Sequence, residues 1–229
     1  LVFGGLGHVG SWIVHELVKR GEKVIVLDAN AGAFDRLGYN YLADLRDQFT
    51  LEQVDILDTH SLFEKMRAYD GQIDTVIFGV AVIAGPTFAK RPFRNIEINT
   101  VGMLNVIEAC RIFEVPRFIN LSSGAVYGNA PGGQTESGTP VRNARMMAIY
   151  GPGKLPSHMH ELYQVLFGPL EGLRNQTVDA GGDQGMDWTH VRDSARGVIA
   201  IMDAEGIDGE SFNISAGKVF SHRDILGHV

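Results

Sequence analysis

Short apolar runs alternate with amphipathic stretches through the first half of the chain. The run at 23–27 (KVIVL) is rich in β-branched residues and has no polar position after its lysine, which predicts a strand buried on both faces. Further strands are predicted at 1–3, 54–57, 75–78 and 117–121, and helices at 11–20, 62–69 and 96–113. This order predicts a parallel sheet with right-handed helical crossovers.

The pattern changes at Gly128. Gly, Pro, Ser and Thr dominate from there to Pro140, which predicts a loop. Beyond it the sequence predicts one strand at 145–149 and one helix at 193–204, with irregular chain elsewhere. We therefore expect an α/β protein with a Rossmann-type doubly wound parallel sheet and a smaller C-terminal lobe.

Composition and charge narrow the class of protein. Of 229 residues, 45% are hydrophobic and 21% charged, as in globular domains, and the net charge of −7 argues against nucleic acid as a partner. The single cysteine, Cys110, excludes an intrachain disulfide and fits a cytoplasmic protein; its apolar helical surroundings predict a core position. No run of 18 apolar residues is present, so we expect no membrane association, and we expect no metal.

A glycine loop joins the first strand to the first helix. Gly4, Gly5, Gly7 and Gly10 give both G-x-G-x-x-G and G-x-x-G-x-x-G spacings. A pyrophosphate binds at a helix N-terminus, where unpaired amides face it, and side chains would block that approach. The context favours a dinucleotide site over an ordinary glycine turn. We expect His8 to offer its backbone amide, with its ring packed aside.

Asp28 closes the second strand, 18 positions beyond Gly10. A carboxylate there accepts hydrogen bonds from the adenosine ribose hydroxyls and repels a 2′-phosphate. The next residues are Ala29 and Asn30, so no arginine follows to receive that phosphate. The sequence therefore predicts NAD rather than NADP.

Several further motifs follow this glycine loop along the chain. They are Asp55-Ile56 with Asp58, Gly79-Val80-Ala81, Asn99-Thr100-x-Gly102-x-x-Asn105, Leu121-Ser122-Ser123-Gly124-Ala125-Val126-Tyr127-Gly128, Tyr150-Gly151-Pro152-Gly153 and Trp188-Thr189-His190-Val191-Arg192-Asp193. Together they resemble the extended short-chain dehydrogenase/reductase superfamily, particularly the NAD-dependent epimerase/dehydratase family. The resemblance implies an NAD-binding domain over residues 1–140. Residues 141–229 would partly complete its sheet and partly form a substrate lobe.

By that resemblance the chain is an enzyme that transfers hydride between NAD and a secondary alcohol of a sugar or sugar-like molecule, by epimerisation, dehydration or dehydrogenation. Ser123 is then the catalytic serine, and Gly124, His190 and Arg192 join it as substrate-side residues. The alternatives are a turn-capping serine and a surface ion pair of Arg192 with Asp193 or Asp187. The implied cofactor-binding residues are Gly4, Gly7, His8, Val9, Gly10, Asp28, Asn30, Asp55, Ile56, Gly79, Val80, Ala81, Asn99, Leu121 and Ser122.

The family's Tyr-x-x-x-Lys pair has no acceptable match. Only Tyr150 has a lysine four residues later, and the glycines and proline between it and Lys154 exclude the helical turn that the pair needs. The interval from Gly128 to Arg145 is also short for a crossover with its helix, which takes about 30 residues. Either a segment is absent between Pro140 and Val141, or the chain is a non-catalytic NAD-binding or sensing protein.

The substrate motifs depart from the nucleotide-sugar pattern. Ala148 replaces an asparagine and Met186 replaces the arginine that grips the diphosphate, which puts a nucleotide-sugar substrate in doubt. A free sugar, sugar acid or hydroxy acid is the alternative, with Arg192 meeting a carboxylate. We also expect a homodimer formed partly through Ile98, Val101, Met103 and Ile107.

Overall fold

The computed structural model describes residues 1–36, 40–82, 91–127, 142–153, 183 and 185–226. The strands are β1 (Val2–Phe3), β2 (Val24–Asp28), β3 (Phe49–Gln53), β4 (Thr75–Phe78), β5 (Arg117–Ser123), β6 (Arg142–Met146), β7 (Ala148–Tyr150), β8 (Gly185–His190), β9 (Ser211–Ile214) and β10 (Val219–Ser221). The α-helices are α1 (His8–Lys19), α2 (Asn40–Ala43), α3 (Thr59–Ala68), α4 (Pro92–Ile96), α5 (Met103–Ile112), α6 (Val191–Asp203) and α7 (His222–Leu226).

The central sheet has seven parallel strands in the order β3-β2-β1-β4-β5-β6-β9. β1 pairs with β2 on one side and with β4 on the other, so the strand order reverses at β1. Such a switch point opens a crevice at the carboxyl ends of the strands. The predicted Rossmann-type sheet is confirmed.

Both faces of the sheet are covered by helices, which is why its inner strands are apolar throughout. Alternate side chains of β2 point to opposite faces: Val24 and Val26 pack with α1 and α6, whereas Ile25 and Leu27 pack with α3 and α5. All five residues of β2 are buried, which confirms the prediction for 23–27. The sheet therefore holds the glycine loop and the end of β2 on a rigid base.

The predicted strand at 54–57 is wrong. The strand is β3, five residues earlier, and Val54 and Ile56 belong to the loop that follows it. Both are buried in the core beneath α3 and α5, and Gly102 lets the helical segment approach Ile56 closely, so their burial does not reflect a place in the sheet. β3 is an edge strand with half-exposed residues, which hid its pattern.

The prediction of one strand at 145–149 is also wrong. β6 ends at Met146 in the central sheet, and β7 begins at Ala148 in a second sheet of order β10-β8-β7. β7 runs parallel to β8, and β10 runs antiparallel to it. The strands β8, β9 and β10 were not predicted, because each is short and mixed in polarity.

The helical segment predicted at 96–113 begins earlier, at Pro92. It runs from α4 through a π-helical stretch, Glu97–Gly102, into α5. Within the described ranges no helix has both the length and the apolar character needed to cross a bilayer.

Candidate functional site

A crevice of about 330 Å³ lies at the carboxyl ends of β1, β2 and β4. A more open depression between α3 and α5 is lined by Thr59, His60, Phe63, Asn105 and Glu108, none of which was predicted as a catalytic, cofactor-binding or substrate-side residue. The residues that line the crevice are Gly4, Leu6, Gly7, His8, Leu27, Asp28, Ala29, Asn30, Val54, Asp55, Ile56, Gly79, Val80, Ala81, Val82, Arg94, Ile98 and Gly153.

The glycine loop is built for close approach at the mouth of this crevice. A Cβ on Gly10 would lie 2.1 Å from the carbonyl oxygen of Gly4, and one on Gly4, where φ is +71°, would lie 3.0 Å from the backbone of Gly79. Gly7 caps α1 without a side-chain hydrogen bond, and the first turn of α1 carries no acidic residue. The loop therefore presents bare backbone and a helix N-terminus, which fits a pyrophosphate.

The ring of His8 points away from the loop. Its Nε2 lies 3.2 Å from the carbonyl oxygen of Gly151, which accepts a hydrogen bond from it in the Nε2–H tautomer. Nearby, the indole Nε1 of Trp12 donates to the carbonyl oxygen of Pro152 at 2.8 Å. α1 thus holds the segment after β7 beside the glycine loop, and Gly153 of that segment lines the crevice.

Asp28 joins the glycine loop to the end of β2. Its side chain is buried, and its Oδ2 accepts a hydrogen bond from the amide of Leu6 at 3.0 Å. Its Oδ1 accepts one from the amide of Asn30 at 2.8 Å. Each carboxylate oxygen can accept two hydrogen bonds, so this structural role leaves capacity for ribose hydroxyls.

The far end of the crevice is formed by the loop after β3. The carbonyl oxygen of Ile56 accepts a hydrogen bond from Asn105 Nδ2 at 2.9 Å, and a Cβ on Gly102 would lie 2.4 Å from Ile56 Cδ1. Arg94 Nη2 lies 3.4 Å from Asp55 Oδ2. Two elements distant in sequence therefore fix this wall.

Asn99 does not line the crevice but holds one of its walls. Its Oδ1 accepts from the amide of Val82 at 2.7 Å, and its Nδ2 donates to the carbonyl oxygen of Val82 at 2.8 Å. Both side-chain groups are committed to the loop after β4, which supplies Gly79, Val80 and Ala81 to the crevice. We therefore interpret Asn99 as a residue that positions the loop after β4.

Five of the residues predicted for the cofactor lie outside the crevice lining. Asn99 is described above, Gly10 lies behind the loop, and Val9 packs against the core. Leu121 and Ser122 belong to β5, where Leu121 Cδ2 comes within 3.4 Å of a Cβ built on Gly79.

Ser123 ends β5 and is exposed. Its Oγ accepts a hydrogen bond from the amide of Ala125 at 3.1 Å, so it also caps the turn that follows. Gly124 lies against Met147, whose Sδ is 2.6 Å from the position of an added Cβ. The exposed hydroxyl can still meet a substrate, because an oxygen that accepts here keeps its proton to donate.

Arg192 lies next to α1, and His190 immediately precedes α6. His190 Nδ1 accepts a hydrogen bond from the Arg192 amide at 3.3 Å, and its ring packs edge-on against Tyr150. The Arg192 guanidinium lies over the Trp12 ring and pairs with Glu16 Oε1 at 3.2 Å. The partner in this ion pair is therefore Glu16, and not Asp193 or Asp187, the partners named in the alternative to a substrate role.

The prediction that Tyr150 does not begin a helical turn is confirmed for residues 150–153. Tyr150 ends β7, and the residues after it include Gly151 with φ +125° and Gly153 with φ +94°, so no helical turn follows. Lys154 lies outside the described residues.

Sequence reasoning missed several residues that line the crevice, chiefly Leu6, Val54, Val82, Arg94, Ile98 and Gly153. Leu6, Val54 and Val82 adjoin predicted positions, and extending each motif by one residue would have included them. No motif in the neighbouring sequence marks Arg94 as a crevice residue, because α4 brings it to Asp55 from a separate part of the chain.

Comparison with known proteins gives one family. The model of the NAD dependent epimerase/dehydratase family matches residues 1–143 and 133–215. The UDP-glucose 4-epimerase of Erwinia amylovora is 28% identical over 271 aligned positions, covering 96% of this chain and 79% of that protein. The UDP-glucose 4-epimerase of Lactobacillus helveticus is 35% identical over 128 residues, which cover 56% of this chain and 36% of that protein.

Solved structures share the fold. An epimerase from Methanothermobacter thermautotrophicus superposes with a TM-score of 0.82 at 24% identity, covering 99% of this chain and 74% of that one. The UDP-glucuronic acid 4-epimerase of Bacillus cereus, solved with UDP-glucuronic acid and NAD, gives a TM-score of 0.83 at 23% identity, covering 99% of this chain and 80% of that one.

Proposed function

Because this chain belongs to the NAD-dependent epimerase/dehydratase family, we propose that it binds NAD in the crevice and transfers hydride between that cofactor and a secondary alcohol of a sugar or sugar-like substrate. The observation that carries the proposal is the glycine cradle, where a Cβ on Gly10 would lie 2.1 Å from the oxygen of Gly4, beside the buried carboxylate of Asp28.

Each part of the crevice has a task in this proposal. The amides at the start of α1 hold the pyrophosphate, Asp28 accepts from the adenosine ribose, and Asp55 with Ile56 meets the adenine. Asn99 fixes the loop after β4. Bound NAD supplies a hydride acceptor, and the Ser123 hydroxyl orients the reacting oxygen of the substrate by hydrogen bonding.

The base that removes the hydroxyl proton belongs, we propose, to a segment that this sequence lacks between Pro140 and Val141. Two facts support this. The family model matches in two separate stretches, which overlap at residues 133–143. The alignment with the Erwinia amylovora epimerase has 271 positions, more than the 229 residues here, so that relative contains residues with no counterpart in this chain. The position itself lies outside the described residues.

The second candidate is a non-catalytic NAD-binding protein, favoured by the lack of a helical Tyr-x-x-x-Lys pair in the sequence. The sequence of the gene across the codons of Pro140 and Val141 distinguishes the two. A continuous reading frame there, together with NAD binding and no turnover, selects the non-catalytic protein. An intervening segment with the Tyr and Lys codons selects the enzyme.

The substrate that we propose is a sugar or sugar acid held without an arginine at position 186. Met186 lies in β8 opposite Phe220, and its thioether cannot pair with a diphosphate. Arg192 is engaged by Glu16 and Trp12, so it meets a substrate carboxylate only if it leaves them. The Erwinia amylovora and Bacillus cereus relatives are named as UDP-sugar epimerases, so the test is a panel of UDP-glucose, UDP-glucuronic acid, dTDP-glucose and the corresponding free sugars. NADH absorbance detects net dehydrogenation, and chromatography of the sugar products detects epimerisation and dehydration, which return the hydride and release no NADH. Efficient turnover of a nucleotide-sugar would contradict it.

NAD binding is tested by calorimetric titration of the wild type and of Asp28→Asn. The variant loses the negative charge, and one end of its amide becomes a donor that faces the Leu6 or Asn30 amide. We expect NAD affinity to fall at least tenfold, or about 1.4 kcal/mol, and the preference for NAD over NADP to shrink. Asp47→Asn, distant from the crevice lining, should bind as the wild type does. Equal or tighter binding of NADP by the wild type would overturn the assignment.

We also propose that the chain forms a homodimer through the helical segment of α4 and α5. Of the residues we expected at this surface, Ile98 and Met103 instead pack against the core, and Val101 is exposed. Five apolar side chains of this segment are exposed, and we call this set the α4–α5 stripe: Phe93, Ile96, Val101, Leu104 and Ile112. Apolar patches of this kind mark association surfaces.

A further inference from the structure

Arg94 introduces a positive charge at the far end of the crevice. Among the described residues that line the crevice it is the one lysine or arginine. It comes from α4, whereas Asp28 ends β2, so a search for a cation close to Asp28 in sequence does not find it.

The guanidinium is held in place by carboxylates. Nη2 lies 3.4 Å from Asp55 Oδ2, and Nη1 lies 3.8 Å from Glu97 Oε2. The other oxygen of Asp55 accepts a hydrogen bond from the amide of Leu57 at 3.0 Å, so Asp55 is fixed as well. Arg94 is about half exposed, which leaves part of its guanidinium accessible from the crevice.

We propose that Arg94 is a recognition residue for the adenosine half of the dinucleotide. The inference rests on the proposed function, which places the adenosine ribose at Asp28 and the base beyond it, toward Asp55 and Arg94. A guanidinium is planar, weakly hydrated and able to lie on an aromatic ring. It also offsets the charges of Asp28 and Asp55, which otherwise disfavour an anionic nucleotide.

The test measures binding of AMP and NAD, by NMR titration, to the wild type and to Arg94→Met. Both ligands contain adenosine, so the same free energy should be lost from each, and both should bind about five- to tenfold more weakly. Arg94→Gln, which keeps a planar polar end without the charge, should show the same loss. Arg111→Met is the matched control, since Arg111 is an exposed helical arginine that pairs with Glu108 away from the crevice.

Each of the other outcomes would contradict either the role of Arg94 or the proposed function. Unchanged AMP binding by Arg94→Met overturns the inference, and so does a loss confined to NAD, because the residue would then act on another part of the cofactor. Wild-type affinity in Arg94→Gln overturns the role of the charge. If the wild type binds neither AMP nor NAD, the proposed function itself fails, which is distinct from failure at Arg94. Circular dichroism of the unliganded variants checks that they are folded.

Discussion

At the scale of single residues, burial decides what a reactive side chain can do. Cys110 lies on α5 in the core that covers one face of the sheet, and it is 7% exposed. Burial raises the pKa of its thiol from 9.0 to about 12. Because the thiolate is the nucleophilic form, Cys110 is an inert core residue, as its apolar surroundings in the sequence predicted.

The raised pKa makes stability depend on alkaline pH. Between pH 9 and about 12 the unfolded chain releases the Cys110 proton while the folded chain keeps it. The free energy of unfolding should therefore fall as pH rises above 9, by up to about 1.4 kcal/mol per pH unit from this group, with no contribution below that range. Urea unfolding of the wild type and of Cys110→Ala at pH 8, 9 and 10 measures it. Parallel pH profiles for the two proteins would contradict the expectation.

Residues whose role depends on backbone geometry could be predicted from the sequence, because their neighbours along the chain create the requirement. The glycine loop and Asp28 are examples: strand, loop and helix follow one another, and the structure gathers them in one crevice. The contacts of Arg94 and Arg192 could not be predicted in this way. Their partners, Asp55 and Glu16, are brought by other elements, and pairing across such distances is set by packing.

At the scale of elements, the strands that are buried on both faces were the predictable ones. β4 lies at the predicted 75–78, and β2 differs by one residue at each end, because three or four consecutive apolar residues in a short run leave few alternatives. The prediction missed β3 because this edge strand has fewer apolar residues than the buried loop that follows it. The break between β6 and β7 at Met147 was not predicted, because both sheets accept the same kind of residue and polarity does not mark the change of sheet.

Arg142 links β6 to the end of α6 and provides a test at this scale. Its guanidinium is buried, and its Nη1 donates to the carbonyl oxygens of Ile201 and Ala204, each at 2.8 Å. Those carbonyls lie at the C-terminal end of the helix, where no intrahelical donor reaches them. Arg142→Met keeps the length of the side chain but leaves the carbonyls unpaired, so we expect a loss of about 2–4 kcal/mol in the free energy of unfolding by urea.

The control for Arg142 is Arg196→Met. Arg196 is exposed and pairs with Asp193 at 3.5 Å, and such surface pairs contribute less than about 1 kcal/mol. A loss in Arg142→Met no greater than in this control would show that water replaces the guanidinium at the helix end.

At the scale of the whole molecule, the seven-stranded sheet accounts for where chemistry is placed. The order reverses at β1, so the loops after β1, β2, β3 and β4 meet at one edge, and the glycine loop, Asp28, Asp55 and Gly79 come from these loops. This gathering follows from topology and was predictable once the strand order was assumed. The second sheet, with β7, β8 and β10, was not predictable, because its strands are short and mixed in polarity.

If the α4–α5 stripe is the homodimer contact, a charge placed in it should separate the two chains. Leu104 is 58% exposed within it, and a twofold axis places every substitution in the interface twice. If the stripe is the dimer contact, Leu104→Glu buries two carboxylates without partners, and the dimer should dissociate at micromolar concentration. Light scattering after gel filtration should give twice the 25.0 kDa chain mass for the wild type and for Val219→Glu, an exposed apolar position on β10, but one chain mass for Leu104→Glu. A dimeric Leu104→Glu would place the contact elsewhere, and a monomeric wild type would remove the homodimer from the proposal.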